Sequence, residues 1–367
     1  MLTYIHDSPD WPQFYWDHRG LAAPMATARH LQGRLIGQVE ALGFQVRDEA
    51  ILHTLTTDVV KSSEIEGDKL DADQVRSSVA RRLGMDIAGL KRADRHVEGV
   101  VEMMLDATQR YDQPLTAELL HAWHASLFPT GRSGMNRITV GAWRVDRAAP
   151  MQVVSGPVGR ERVHFEAPAS ARLDFEMRRF LDWFEGGAST DLVLKSALAH
   201  LWFVTIHPFD DGNGRVARAI ADMVLARSEA SPQRFYSMSA QICDERAGYY
   251  RILEQTQQGT LDITPWMAWF LACLTRAIDR SLTNLTSVIA KARYWERIRA
   301  LPINARQQMV LNRLLDGLEG KLTTSKWAAL TKTSQDTALR DIQDLLKLGV
   351  LVRDSAGGRS TSYTLVR

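Results

Sequence analysis

Near the middle of the chain one run gathers most of the reactive chemistry: His207-Pro208-Phe209-Asp210-Asp211-Gly212-Asn213-Gly214-Arg215-Val216-Ala217-Arg218. Pro208 disfavours helical geometry at His207, so a helix arriving through residues 202–206 should stop there. Gly212 and Gly214 permit backbone angles closed to other residues. Helical spacing resumes at about Gly214 and continues through Ile220, Val224 and Leu225. The pattern is a helix, a glycine-rich turn and the N-terminus of a second helix. Such a turn binds anions, because successive backbone N–H groups converge and the helix dipole adds positive potential. Arg215 and Arg218 are three residues apart and share a face of the first turns. Two guanidinium forks beside a nest of N–H groups suit a di- or triphosphate better than a lone phosphate. Asp211, at the loop edge, can hold Mg²⁺ between phosphate oxygens. His207, across the loop, is placed to take a proton from an attacking hydroxyl at neutral pH. Phe209 is expected to pack inward and anchor the loop.

Singly, each of these residues has an ordinary structural role: a histidine at a helix end, arginines facing solvent, a run that makes a turn. Together they satisfy H-x-F-x-D/E-G-N-G-R-x-x-R, whose eight fixed positions meet by chance in about one window in ten billion for equiprobable residues. The run resembles the signature of the Fic (filamentation induced by cAMP) family, and every fixed position is present. Proteins of that family mostly transfer AMP from ATP to a Ser, Thr or Tyr hydroxyl of a target protein. The resemblance implies that His207 is the general base and Asp211 the Mg²⁺ ligand. It implies that Gly212, Asn213, Gly214 and Arg215 cradle the phosphates, and that Arg218 contacts the terminal phosphate. ATP and Mg²⁺ are thus the implied cofactors.

Far upstream lies Ser62-Ser63-Glu64-Ile65-Glu66-Gly67, ending a helix that begins near Asp48, with Gly67 as its C-terminal stop. Through Ser62, Glu66 and Gly67 it resembles the Fic inhibitory pattern S/T-x-x-x-E-G/N. The implied inhibition is electrostatic. Glu66 pairs with Arg218, takes the guanidinium that the γ-phosphate needs, and puts negative charge where phosphate charge must go. In some relatives this glutamate also supports AMP removal, which would make Glu66 bifunctional.

Several elements must position these groups. Apolar spacing predicts helices near 26–43, 47–66, 71–83, 91–110, 116–127, 170–185, 191–206, 214–227, 244–258 and 264–299. Residues 1–20, rich in aromatics and broken by Pro9 and Pro12, with Pro24 following, are expected to lie irregularly against a partner surface. Residues 139–168 differ from the rest: 151–155 and 162–165 read as two short strands of a hairpin. That hairpin resembles the family's flap, preceded by Gly141-Ala142-Trp143-Arg144. Val153, Val154, Ser155 and Gly156 would then align the target segment beside the nucleotide. Tyr249 and Tyr250, after Arg246, resemble a tyrosine pair near the adenine in relatives, and core packing is an equal expectation for one of them.

The last 65 or so residues read as a separate module. Helical spacing through Met309, Leu311, Leu314, Leu315 and Leu318 precedes a break at Gly320. A short helix near 324–330 and a second helix over 335–348, N-capped by Ser334, follow. Then come 349–352, a Gly357-Gly358 turn and 363–366. Three helices and a two-stranded wing make a winged-helix pattern. The expected fold is therefore all-α: a Fic helical core with a small β-hairpin flap and a C-terminal winged helix-turn-helix. The expected divisions are 1–90, holding the inhibitory helix 47–67; 91–285, catalytic; and 286–367, the C-terminal module.

Composition excludes several classes. The chain has 367 residues, 45% hydrophobic and 24% charged, an ordinary globular balance. Net charge is +2, which argues against a chain-wide polyanion-binding surface. Two cysteines, Cys243 and Cys273, rule out a disulfide framework or a cysteine-rich zinc site. Both are expected as buried free thiols in a reducing compartment. The N-terminus lacks a signal peptide's basic then apolar run, and the longest apolar stretch, near 266–274, is too short to span a bilayer. A cytoplasmic location is the expectation, with no membrane partner.

The leading functional expectation is a protein adenylyltransferase autoinhibited by Glu66, acting on a target protein that could be itself. A homodimer is the assembly the resemblance implies. One alternative is a Fic enzyme that transfers another phosphate-linked group, such as UMP, phosphocholine or phosphate. Another is a nucleotide-sensing, DNA-binding transcription regulator. It draws on the C-terminal module, where eight cations face four acids over residues 321–367, and on Arg340 facing a groove.

Overall fold

Helical periodicity accounts for most of the observed architecture. The computed structural model describes residues 4–40, 44–85, 91–145, 150–157, 159–187, 190–315, 317–318, 320–354 and 361–366. The chain runs through α1 (His18–Glu40), α2 (Phe44–Ile65), α3 (Ala72–Arg82), α4 (Arg95–Gln109) and α5 (Ala117–Leu127). Short strands follow: β1 (Arg132–Ser133), β2 (Asn136–Arg137), β3 (Gln152–Ser155) and β4 (Arg162–Glu166). Then come α6 (Leu173–Glu185), α7 (Leu192–Ile206), α8 (Asn213–Glu229), α9 (Met238–Asp244), α10 (Arg246–Gln257) and α11 (Thr264–Ile298). The chain ends with α12 (Ala305–Leu315), β5 (Leu322–Thr323), α13 (Thr324–Thr331), α14 (Gln335–Lys347), β6 (Leu351–Arg353) and β7 (Ser362–Leu365). The fold is mostly helical, with small antiparallel strand pairs. Its contacts divide it into residues 1–281 and 282–367.

In the first unit α7 is the central rod. Every residue from Val193 to Ile206 is buried, as expected of a helix apolar on all sides. Asp191 starts it by accepting the Val193 N–H, and both oxygens of the same carboxylate lie 2.8 Å from Arg29 Nη2. α8 packs along α7, with α4 against α8 and α5 against α4. Gly99 makes the last contact possible: a Cβ there would collide with the carbonyl of Ser126. α6 covers α7 through Leu173, Met177, Phe180 and Phe184. Burying each such side chain contributes about 1.5–3 kcal/mol. α2 lies against α9 and α3 and reaches α4 and α8.

Several local features depart from the sequence pattern, among them α9, which precedes α10 where a single helix over 244–258 is expected, and the β1–β2 pair. α1 begins at His18 rather than at residue 26 and contains Pro24. Inside a helix the ring costs about 3 kcal/mol. The buried stripe Leu21, Ala28, Gln32, Leu35 and Val39 supplies the offsetting burial. The irregular aromatic segment ends at Asp17, and it lies against this chain's own residues. Trp11 packs edge-on to Trp202 and donates to Glu176 at 2.9 Å, Tyr4 packs against Phe165, and Tyr15 bridges to Asp262. Cys273 is buried as expected, but Cys243 is only partly so.

β3 and β4 form an antiparallel hairpin with a bulge between Val153 and Val154. Its base is fixed by a small cluster of Tyr4, Phe165 and Ala167, with Met151 and Val153 against it. The second unit has its own core, built from Tyr294, Ile298, Val310, Leu311, Trp327, Ile342, Leu345, Leu351 and Tyr363. Ser334 caps α14 by accepting the Thr337 N–H. A three-stranded sheet in the order β5-β7-β6 closes the unit, so a strand unforeseen in the sequence, β5, joins the expected pair. The turn expected at Gly357-Gly358 lies outside the described residues. Arg340 and Leu339 on α14 are exposed. Among the described residues, no helix is long and apolar enough to cross a membrane.

Candidate active site

The bend between α7 and α8 is held by backbone geometry before any side chain acts. His207 caps α7 in the left-handed region, φ 52° and ψ 57°. That conformation costs a non-glycine residue about 1–2 kcal/mol. Arg144, itself buried, offsets this: its Nε donates to the His207 carbonyl at 2.9 Å and its backbone N–H donates to the Pro208 carbonyl at 2.8 Å. A second nitrogen of the same guanidinium donates to the carbonyl of Pro168, just beyond β4. One arginine thus ties the hairpin's trailing end to the bend. His207 Nδ1 lies 3.2 Å from the Val204 carbonyl. A carbonyl only accepts, so Nδ1 carries the proton and Nε2 keeps its lone pair. Burial lowers the imidazole pKa to about 4, with the charge of Arg144 acting in the same direction. The ring is therefore neutral, and able to accept a proton, at pH 7.

Phe209 is fully buried and stacks on His124, with centroids 4.1 Å apart and planes 5° from parallel. Asn213 clasps the same residue: Phe209 N–H donates to Oδ1 at 3.0 Å, and Nδ2 donates to the Phe209 carbonyl at 2.8 Å. The Asn213 side chain is therefore committed to holding the loop closed. His124 Nδ1 accepts the Gly141 N–H, which leaves Nε2 to donate to the Asp211 carbonyl, both at 3.2 Å. Burial lowers its pKa to about 4. Gly212 has φ +81°, and a Cβ would lie 2.9 Å from the Phe128 ring, so both backbone angle and space demand glycine. Asp211 sits half-buried at the edge of the loop, accepting the Ser133 hydroxyl and, at 2.6 Å, the Gly212 N–H.

Arg215 and Arg218 follow on the first turns of α8, and both are buried. Arg218 meets the end of α2. Its Nε donates to Ser62 Oγ at 2.9 Å, Nη2 donates to the Ser62 carbonyl at 2.8 Å, and Nη1 lies 2.9 Å from Glu66 Oε1. Burial opposes the charge on Arg218, but the Glu66 carboxylate together with Tyr249 and Tyr250 outweighs it, so the guanidinium pKa is raised. Glu66 occupies the α8 N-terminus closely: a Cβ on Gly214 would collide with its Oε1. Arg215 stacks over the Phe128 ring at 5.1 Å, and its Nη1 lies 3.5 Å from Asp68. Its buried Nε has no hydrogen-bond partner among the described residues.

The tyrosine pair divides. Tyr249 is buried, with its hydroxyl 2.9 Å from His200, whose own pKa burial lowers to about 3. Tyr250 is partly exposed beneath Arg246 and donates to the Ile65 carbonyl at 3.1 Å and to Glu66 at 3.4 Å. Burial and the Glu66 charge raise its pKa. On the hairpin, Val153 is half-buried, while Val154, Ser155 and Gly156 are exposed. Ser155 is 2.6 Å from His164, which pairs with Glu254 of α10 at 3.0 Å.

The structure thus gathers Ser62, Glu66, Gly212, Gly214, Arg218 and Tyr250 around one helix end, with His207, Asp211 and Arg215 along the same bend. Sequence reasoning gave no role to Asp68, His96, His124, Ser133 and Phe128, and named Arg144 without one. Only for Asp68 was there a local signal, its place directly after the helix-stopping Gly67. No group of three or more His, Cys, Asp or Glu side chains suited to a metal exists among the described residues. Asp211 beside an anion seat fits a hard cation shared with phosphate oxygens, which takes one or two carboxylates. The unpaired Arg215 Nε fits a phosphate oxygen.

Residues 114–225 match the Fic/DOC family, and residues 4–85 match a domain of unknown function (DUF4172). Over 123 residues the chain is 35% identical to the protein adenylyltransferase Fic of Nematostella vectensis, which covers 32% of this chain and 26% of that protein. Over 232 residues it is 26% identical to the protein of the same name from Drosophila willistoni, covering 60% of this chain and 40% of the relative. The chain therefore spans less than half the length of these relatives. A Fic family protein from Desulfovibrio desulfuricans superposes with a TM-score of 0.53 at 20% identity, over 96% of this chain and 97% of that one. A Fic domain containing signaling protein from Bacteroides thetaiotaomicron gives 0.51 at 20% identity, over 71% and 97%. At these identities the likeness is one of fold. The bend from His207 to Arg218 lies inside the matched region, and this chain carries a Fic/DOC domain over residues 114–225.

Proposed function

We propose that the chain is a protein adenylyltransferase that moves AMP from ATP to a Ser, Thr or Tyr hydroxyl of a target protein and is held off by Glu66. The observation that carries this reading is an oxyanion already in an oxyanion seat: the Glu66 carboxylate rests on Gly214 and Arg218 at the start of α8. At the other end of the same bend waits a neutral imidazole with its Nε2 free to accept. The names of the relatives support the reaction class.

In this reading His207 Nε2 takes the proton of the incoming hydroxyl. The hydroxyl oxygen forms a bond to the α-phosphorus of ATP, and the bond from that phosphorus to the bridging oxygen breaks, releasing pyrophosphate. The α8 N–H groups, Arg215 and, once Glu66 has moved, Arg218 take up the charge on the leaving group. Catalysis rests on positioning and charge neutralisation. Asp211 would hold Mg²⁺, which when bound neutralises phosphate oxygens. The exposed edge of β3, with Val154 and Ser155, suits an extended target segment laid alongside it.

The test uses ATP labelled at the α or the γ position, with wild type, Glu66→Gly and His207→Ala. Glu66→Gly should gain α-label on protein and no γ-label. His207→Ala introduced into Glu66→Gly should abolish transfer while keeping nucleotide binding. Transfer of γ-label would instead indicate a kinase-like reaction, and transfer retained without His207 would reject the assigned base.

A further inference from the structure

We propose that Asp68 is a second inhibitory carboxylate, which restrains Arg215 as Glu66 restrains Arg218, and that His96 is the positioning residue that holds it there. The inference rests on the adenylyltransferase reading and concerns regulation of the same site. α2 ends in a turn of definite geometry. The Gly67 N–H donates to the Glu64 carbonyl and the Asp68 N–H donates to the Ser63 carbonyl, both at 3.0 Å, and Gly67 has φ +87°. This is a Schellman motif, with Gly67 in the left-handed position and Glu66 and Asp68 on either side of it. The motif fixes the backbone from which the two carboxylates project. They reach the two arginines of α8, Glu66 at 2.9 Å from Arg218 and Asp68 at 3.5 Å from Arg215. One rigid turn therefore covers both cations of the seat.

Asp68 is held from its other side as well. His96, in the first turn of α4, has Nε2 2.6 Å from Asp68 Oδ2, the same oxygen that faces Arg215. Among the described residues the buried Arg215 Nε has no partner, so its donor set is incomplete while Asp68 is its carboxylate. A polyanion entering the seat must displace or share Asp68. Removing Glu66 alone frees Arg218 and leaves Asp68 beside Arg215.

The experiment measures KM for ATP and kcat for α-label transfer in the full chain, for Glu66→Gly and for Glu66→Gly combined with Asp68→Asn, His96→Ala or His96→Gln. Adding Asp68→Asn should lower KM about three- to fivefold, the scale for a partly exposed ion pair, with kcat changed less than twofold. AMP, which lacks the outer phosphates, should bind both proteins alike. His96→Ala should give a smaller drop in KM, and His96→Gln, which keeps an N–H donor, should restore the parent value. An unchanged or higher KM with Asp68→Asn would overturn the proposal, the latter assigning Asp68 to the orientation of Arg215 for substrate. If Glu66→Gly transfers no label, the adenylyltransferase reading fails. Calorimetric titration of ATP onto the same variants still decides the role of Asp68.

Discussion

Glu66→Gln separates charge from shape at the seat and predicts two opposite effects. The glutamine keeps nearly the same volume and can still hydrogen-bond, so the turn at Gly67 should survive. What goes is one negative charge 2.9 Å from Arg218 and against the first turn of α8. Two unit charges about 4 Å apart interact with about 4 kcal/mol at an effective dielectric near 20. The Glu66 side chain is 29% exposed, so solvent screening brings the expected gain in ATP binding to about 2 kcal/mol, about 30-fold in Kd. The protein itself should weaken, because Arg218 stays buried with its main counter-charge removed. Breaking a buried ion pair costs about 3–5 kcal/mol. Arg218 keeps both bonds to Ser62, so about 1–2 kcal/mol is expected here. For a unit of this size that is about 2–4 °C in melting temperature. Saturating ATP at 100 times Kd should then return about 2.7 kcal/mol by linkage. Calorimetric titration with ATP and thermal melts with and without nucleotide read both effects and the linkage between them. If ATP binds less than threefold tighter and the melt is unchanged, the carboxylate neither blocks the seat nor pairs usefully with Arg218, and the reasoning is wrong.

Two further outcomes follow from the same geometry. In the Glu66→Gly protein, kcat/KM for transfer reports the free enzyme and should hold within about twofold from pH 8 down to pH 5.5. His207 must be neutral to accept a proton, burial puts its pKa at about 4, and activity is lost only as pH falls toward that value. An acid limb at the ordinary histidine value of about 6.5 would contradict the half-buried, Arg144-flanked ring. Gly67→Ala meets open space but must hold φ +87°, a strain of about 1–2 kcal/mol on the turn that carries Glu66. Its label incorporation should lie between wild type and Glu66→Gly, and incorporation equal to wild type would show that the turn does not govern the brake.

The helical frame was legible because its periodicity is strong: α4, α5, α7, α8 and α14 lie where apolar spacing puts them. Capping was legible too, as at Ser334. The early start of α1 was not, because Pro24 argues locally for a break and only burial of the Leu21–Val39 face overrides it. Of the site, the run from His207 to Arg218 could be read directly, since its glycines and proline force a bend whatever packs around it. The supports could not be read. His124 earns its place by stacking on a phenylalanine far along the chain, and Arg144 by reaching carbonyls of two separate segments, 207–208 and Pro168.

Sequence alone determined which groups exist and the local geometry that a few backbone angles impose: an imidazole before a proline, a nest ahead of a helix, a helix stopped by Gly67. The tertiary structure decided which charges meet. Residues 62–68 are separated from residues 215–218 by a long stretch of chain, and nothing in local spacing sets that distance. Packing of α2 against α9, α3, α4 and α8 sets it, and so brings the carboxylates within reach of the guanidinium groups. That packing brings Glu66 to Arg218 and Asp68 to Arg215, and it left Tyr249 in the core and Tyr250 facing the seat.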